Sequence, residues 1–152
     1  KMMEYMHKRH GRLPWQRLFV PAKVLAQKGF ELTERTSSQV DGLLARNTSC
    51  MDGERLFFRD PTAFEYFVNV NGDDCSAKPA GTLMKNKAYA DTLKALARRG
   101  ARAFYKGPIA HDIADAVQGD LNIPGDMTVG DLANYEVVER EPATNTSPTA
   151  IS

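Results

Sequence analysis

Residues 86–117 read NKAYADTLKALARRGARAFYKGPIAHDIADAV, and the period of their apolar side chains decides the fold class. Tyr89, Leu93, Leu96 and Ala97 recur at intervals of three and four, which lines them along one helix face. Gly100 supplies the stop. The short turn ARAFYKG leads to Pro108, whose missing N–H is harmless in a first helical turn. Ile109, Ile113, Ala116 and Val117 then form the inward stripe of a second helix. The segment is expected to be mainly α.

The pattern extends in both directions. Upstream, RLPWQRLFVPAKVLAQKGF (residues 12–30) carries two helical rows, Leu18–Ala22–Leu25 and Phe19–Ala22–Ala26. It ends in Lys28-Gly29, a cation in the last turn and a glycine for a left-handed cap. Pro21 must either sit in the first turn of a helix starting near Val20 or kink one starting near Pro14. MMEYMHKRH (residues 2–10) predicts one or two further turns, closed by Gly11, with Met2, Met6 and Tyr5 inward. Thr33 is a good N-cap for a helix that buries Val40, Leu43 and Leu44. Downstream, Thr128-Val129-Gly130-Asp131 is a capping-box variant ahead of Leu132, Ala133 and Tyr135.

Residues 47–80 break the pattern. Leu56-Phe57-Phe58 and Tyr66-Phe67-Val68 are short aromatic and β-branched runs between Asp, Gly and Pro, which predicts a loose hairpin or irregular insert. After Glu141 comes PATNTSPTAIS (residues 142–152), a tail without period that reads as disordered. The chain has 152 residues, the length of one ordinary domain. Its 20 basic and 19 acidic residues give a net charge of +1, which points to neither nucleic acid nor a membrane surface. No run approaches the ~18 apolar residues that a membrane helix needs. Lys1 stands where a start would have Met, with no leader after it, so the chain is expected to be a piece of a longer product.

Chemistry is sparse. His7 and His10 stand three apart but lack acidic or cysteine partners, and Lys8 and Arg9 would repel a cation, so they read as a solvated face. His111 reads as a surface histidine. NVNGDD (residues 69–74) has its glycine too early for a calcium loop, and Ala80 stands where the closing Glu would be, so it reads as a polar turn. There is no GxxxxGK[ST], GxGxxG, GxSxG or HExxH. HKRHGR is a basic patch without an aromatic platform for nucleic acid. No metal, cofactor or catalytic residue is assigned. Cys50 and Cys75 fit neither a zinc set nor a CxxC pair; they close one loop in a secreted protein or remain two thiols in a reducing compartment. Asn47-Thr48-Ser49 and Asn145-Thr146-Ser147 are formal N-glycosylation acceptors.

Three segments taken in order carry a resemblance. PWQRLFVPAKVLAQKGF, AGTLMKNKAYADTLKALARRGARAFYKGPIAHDIADAV and MTVGDLANYEVVERE are similar, in order and spacing, to large-subunit blocks of the γ-glutamyltranspeptidase (glutathione hydrolase) family. The likeness spans most of residues 1–141, with residues 142–152 as a non-homologous tail. It implies an αββα N-terminal-nucleophile hydrolase fold in the parent protein. It also implies a precursor that cleaves itself to expose a threonine, which attacks the γ-glutamyl amide with its own α-amino group as base. Implied partners are glutathione, γ-glutamyl acceptors and the small catalytic subunit of the same precursor. The implied location is outside the cell, on the outward face of the plasma membrane, or in the vacuole. The family's TTH.SV.D nucleophile context and PPPSSGG segment are absent from these residues, so no catalytic or substrate-binding residue carries over and the chain is expected to be inactive alone. Residues 54–78 match the family poorly, and a Cys50–Cys75 bridge would bracket that stretch.

Overall fold

A computed structural model describes residues 1–46, 60–120 and 123–141. The expectations placed on Asn47, Cys50, Leu56–Phe58 and the tail from residue 142 fall outside the described residues. The described residues are mainly helical: α1 (Met2–His10), α2 (Trp15–Leu18), α3 (Val20–Lys28), α4 (Glu34–Leu44), α5 (Pro61–Phe67), α6 (Lys87–Arg99), α7 (Arg102–Tyr105), α8 (Pro108–Gln118) and α9 (Val129–Asn134). Four short strands form two antiparallel pairs, β1 (Phe30–Glu31) with β4 (Leu83–Met84) and β2 (Val68–Asn71) with β3 (Asp74–Ala77). By contact they divide into a central unit, Gln16–Lys94, and a terminal unit drawn from Lys1–Trp15 and Ala95–Ser152.

In the central unit, α3 and the start of α6 meet through small side chains. Ala26, Ala90 and Leu93 are buried together, with Phe19 packed against them, and Ala90 is 0% exposed. Pro21 lies in the first turn of α3, so the helix starts at Val20 without a kink. Below α3 the chain pairs Phe30 with Met84 and Glu31 with Leu83. Leu32 extends the pairing, donating to Thr82 O at 2.9 Å and accepting from Gly81 N–H at 2.8 Å. Gly29 makes this possible. Its φ of 99° and ψ of 163° fall in a region essentially closed to other residues. A Cβ there would also come within 2.7 Å of Leu83 Cδ1.

A second core of the same unit joins α4 to α5 and the hairpin. Val40, Val68 and Ala77 are buried, with Leu44, Phe64, Phe67 and Cys75 around them. Thr33 caps α4 by accepting from Thr36 N–H at 3.3 Å, and Asp60 caps α5 by accepting from Ala63 N–H at 3.0 Å. Two α4 side chains hold the end of β3: Asp41 accepts from Ala77 N–H at 2.7 Å, and the Ser37 hydroxyl donates to Lys78 O at 2.9 Å. That covers part of a strand edge that would otherwise offer unpaired groups. The β2–β3 turn places Gly72, at φ 65°, first of its two central residues, the position where a two-residue hairpin loop needs positive φ.

In the terminal unit, α7 and α8 bury Ala103, Ala110 and Ala114. Thr128 and Asp131 form a reciprocal capping box at α9, and the Thr128 hydroxyl and N–H hold the Asp131 carboxyl below its usual range. Glu4 binds the turn between α6 and α7: Oε2 accepts from Ala101 N–H at 2.8 Å, and Oε1 pairs with Lys8 at 3.0 Å. These contacts hold its carboxyl below the usual range, Lys8 chiefly and the Ala101 amide next.

Several expectations are corrected. Met2 and Met6 are exposed rather than inward, because α1 is held by Glu4, Tyr5 and Arg9 and not by an apolar row. On α2 and α3 Ala26 is buried and Phe19 half-buried against it, while Ala22, Leu18 and Leu25 are exposed. Ala116 is exposed, and the inward row of α8 runs through Ala110 and Ala114, since alanines allow closer backbone approach than the neighbouring isoleucines. ARAFYKG contains a helical turn, α7. Tyr66 and Phe67 end α5 instead of forming a strand, because Asp60-Pro61 is a cap and first-turn pair that starts a helix there; the hairpin lies at Val68–Ala77.

Gly29→Ala is expected to cost about 1–3 kcal/mol in chemical denaturation. Gly42→Ala, in α4 where a Cβ would meet nothing within 4 Å, is expected to stabilise by up to about 1 kcal/mol. The depressed Glu4 carboxyl adds stability that is fully present above its unfolded-state pKa and disappears as pH falls through the lower, folded one. Wild type should therefore lose stability relative to Glu4→Gln as pH drops below the ordinary carboxylate range, measured as urea midpoints across pH 3 to 7 (about the range of carboxylate titration).

Candidate functional site

The described residues singled out for chemistry are each engaged locally or exposed. His7 Nε2 hydrogen-bonds to Leu13 O at 2.8 Å, and its ring meets Trp15 edge-on at 5.2 Å. His10 and His111 are exposed, His111 on α8. Among the described residues no three His, Cys, Asp or Glu side chains converge as a metal site would need. NVNGDD supplies the last three residues of β2, the two-residue turn and the first residue of β3. Cys75 is disulfide-bonded and sits at the margin of the second core.

One groove of about 370 Å³ opens in the central unit, lined chiefly by Tyr66, Asn69, Lys78, Thr82, Met84 and Lys85. Burial pushes the Tyr66 phenol above its ordinary pKa. Lys78 Nζ donates to Glu65 O at 2.6 Å, so that ammonium is engaged within its own unit. The groove can bind through mixed polar and apolar walls, but its lining holds no serine, cysteine or histidine to act as a nucleophile–base pair.

What does converge is the set of residues on which the resemblance rests. In the central unit Gly29-Phe30 of the first block faces Leu83-Met84 of the second, and Asn86 N–H donates to Ala26 O at 2.9 Å. In the terminal unit the Trp15 indole donates to Leu96 O at 3.0 Å. Tyr105, from FYKG, stacks on Tyr135, from DLANY, with centroids 5.5 Å apart and planes 9° from parallel. Lys1 Nζ lies 5.1 Å from the Tyr105 ring centre and donates to Ala133 O at 3.0 Å and to Tyr135 O. Glu139, from VERE, accepts from the Tyr5 hydroxyl at 2.8 Å and from Arg9 Nη1 at 2.9 and 2.8 Å. These donors hold the Glu139 carboxyl below its usual range, Tyr5 first and Arg9 second. The shared residues are thus the joints of a scaffold: strand pairing, ring stacking and ion-pair closure.

The comparisons with known proteins agree with that picture. The family described as Gamma-glutamyltranspeptidase matches residues 1–149, a range that runs past residue 141. The chain is 34% identical over 147 residues to the Glutathione hydrolase proenzyme of Arthroderma benhamiae, covering 93% of this chain and 22% of that protein. It is 33% identical over 133 residues to Glutathione hydrolase 2 of Arabidopsis thaliana, covering 88% of this chain and 20% of that one. The crystal structure of Helicobacter pylori gamma-Glutamyltranspeptidase superposes with a TM-score of 0.67 at 28% identity, over 88% of this chain and 34% of that chain. The chain therefore spans about a fifth of the length of these curated relatives. With the pattern matched almost end to end and the fold shared, this chain belongs to the gamma-glutamyltranspeptidase family, a family of enzymes.

Proposed function

We propose that these residues are a large-subunit segment of an enzyme that hydrolyses glutathione and transfers its γ-glutamyl group to amino acids, peptides or water. The observation that carries the reading is the family match over residues 1–149, supported by relatives that are named glutathione hydrolases. In this reading the segment belongs to an αββα N-terminal-nucleophile fold, with residues 1–141 as scaffold and the catalytic threonine on a small subunit from the same precursor. The 152 residues contain no TTH.SV.D context, so alone they should not turn over glutathione. Partners in this reading are glutathione, γ-glutamyl acceptors and the small subunit, with no nucleic acid and no cofactor.

No helix among the described residues is long and apolar enough to cross a membrane. We place the parent on the secretory route, outside the cell, on the outward face of the plasma membrane or in the vacuole, with Asn47 and Asn145 as glycan acceptors. Cys75 is disulfide-bonded, and the one other cysteine of the chain is Cys50, so the proposed bridge is Cys50–Cys75. Closing that loop would stabilise the fold by up to about 3 kcal/mol on the chain-entropy account. Non-reducing peptide mapping should recover the two peptides linked; recovery of both as free thiols would refute the bridge.

Sequencing the native transcript across both ends, then assaying the full product, tests the catalytic reading. A frame that continues into the threonine context, with glutamate released from glutathione and release lost on Thr→Ala at the new N-terminus, is the expected result. A transcript that ends at Ser152 and whose product neither cleaves glutathione nor complements a small subunit would overturn it. The chain would then be a non-catalytic interaction module derived from the family.

A further inference from the structure

The terminal unit holds a second cleft, of about 510 Å³, lined by Arg99, Arg102, Ala103 and Lys106. Its walls carry three cations and no acid. The bias begins in the sequence: residues 92–111, TLKALARRGARAFYKGPIAH, hold Lys94, Arg98, Arg99, Arg102 and Lys106 with no Asp or Glu, in a chain whose net charge is only +1. The turn at Gly100, with φ 65°, brings Arg99 at the end of α6 beside Arg102, the first residue of α7, and Lys106, the residue after it, around the buried Ala103.

A bland explanation covers part of this pattern. Arg98 and Arg99 close α6, where cations complement the partial negative charge of a helix C-terminus. It does not cover the rest. Arg102 is the first residue of the single-turn helix α7, and Lys106 follows it as the extended C-cap, so the helix itself calls for neither Arg102 nor the convergence of both with Arg99. Among the described residues neither Arg99, Arg102 nor Lys106 makes an ion pair. Three carboxylates of the unit are engaged elsewhere, Glu4 by Lys8, Glu139 by Arg9 and Asp131 by Thr128. Guanidinium forks match carboxylate and phosphate oxygens in pairs, and the cleft volume lies within the roughly 300–1,000 Å³ range of small-molecule sites.

We propose that Arg99, Arg102 and Lys106 form a binding site for a small organic polyanion, whose clustered oxygens belong to phosphate or to carboxylate groups.

The test is calorimetric titration of the 152-residue chain with two probes, inorganic pyrophosphate and citrate, at fixed ionic strength. Binding of at least one probe with a Kd of about 10⁻⁴ M or tighter is expected. Arg99→Gln, Arg102→Gln and Lys106→Gln should each weaken it about five- to tenfold, because each removes one charge-assisted contact. Lys23→Gln, in the central unit, should leave it unchanged. The preferred probe identifies the source: pyrophosphate for phosphate groups, citrate for carboxylates. Circular dichroism and thermal unfolding check that each variant folds, and a variant that unfolds is replaced by the Lys (Arg99, Arg102) or Arg (Lys106) substitution at the same position, which keeps the charge and should keep most of the binding. No binding of either probe, or binding indifferent to all three substitutions, would overturn the proposal.

Discussion

Leu32 exchanges backbone hydrogen bonds with Gly81 and Thr82, and the central unit depends on that exchange. The chain leaves α3, passes through β1, runs an excursion of nearly fifty residues and returns through β4 into α6. Closing a loop of that length costs on the order of 3–4 kcal/mol of chain entropy. The two-residue ladder offsets only part of it. The remainder comes from what the ladder brings together: Ala26 against Ala90 and Leu93, and the Asn86 amide on Ala26 O. Gly29 is the hinge of the arrangement, since any side chain there would strain the backbone and strike Leu83.

Alanine dominates the buried positions. Ala26, Ala77, Ala90, Ala103, Ala110 and Ala114 allow backbones to approach closely, but each buries little apolar area, and burial is worth about 25 cal/mol per Å². Larger side chains such as Leu18, Val20, Leu25 and Leu83 remain exposed. Polar joints compensate in the terminal unit, where Glu4 caps a turn and Glu139 gathers Tyr5 and Arg9. A thin core with large apolar residues left outside suits a chain that spans about a fifth of its curated relatives.

Much of this was legible in the residues. Helix caps were local chemistry and therefore readable: Thr33, the Thr128–Asp131 box and Pro108 all stand where the pattern put them. The αβ boundary at residue 67 was not, because Tyr66-Phe67-Val68 satisfies strand propensity while Asp60-Pro61 starts a helix that consumes the first two. Inward faces were legible in part: the period offered rows through both Ala26 and Leu25, of which only Ala26 is buried, and on α8 it gave the half-buried Ile109 and Ile113 but not the buried Ala110 and Ala114, since hydrophobic period ranks size above closeness. Ladder pairing across a long excursion has no local signal at all. The basic cleft did have one, the acid-free stretch between Asp91 and Asp112, but a charge run becomes a site only when a turn such as Gly100 folds it around a cavity.

The neck formed by Leu32, Gly81 and Thr82 also bears on what the central unit can tolerate between them. Everything between residues 33 and 80 departs and returns through that one narrow seam, and α3 and α6 are registered by the seam itself. Insertions, deletions and new decoration inside the excursion can accumulate without displacing the helices on either side of it. The seam makes the length of the detour a free variable, since the helices on either side keep their register whatever it holds.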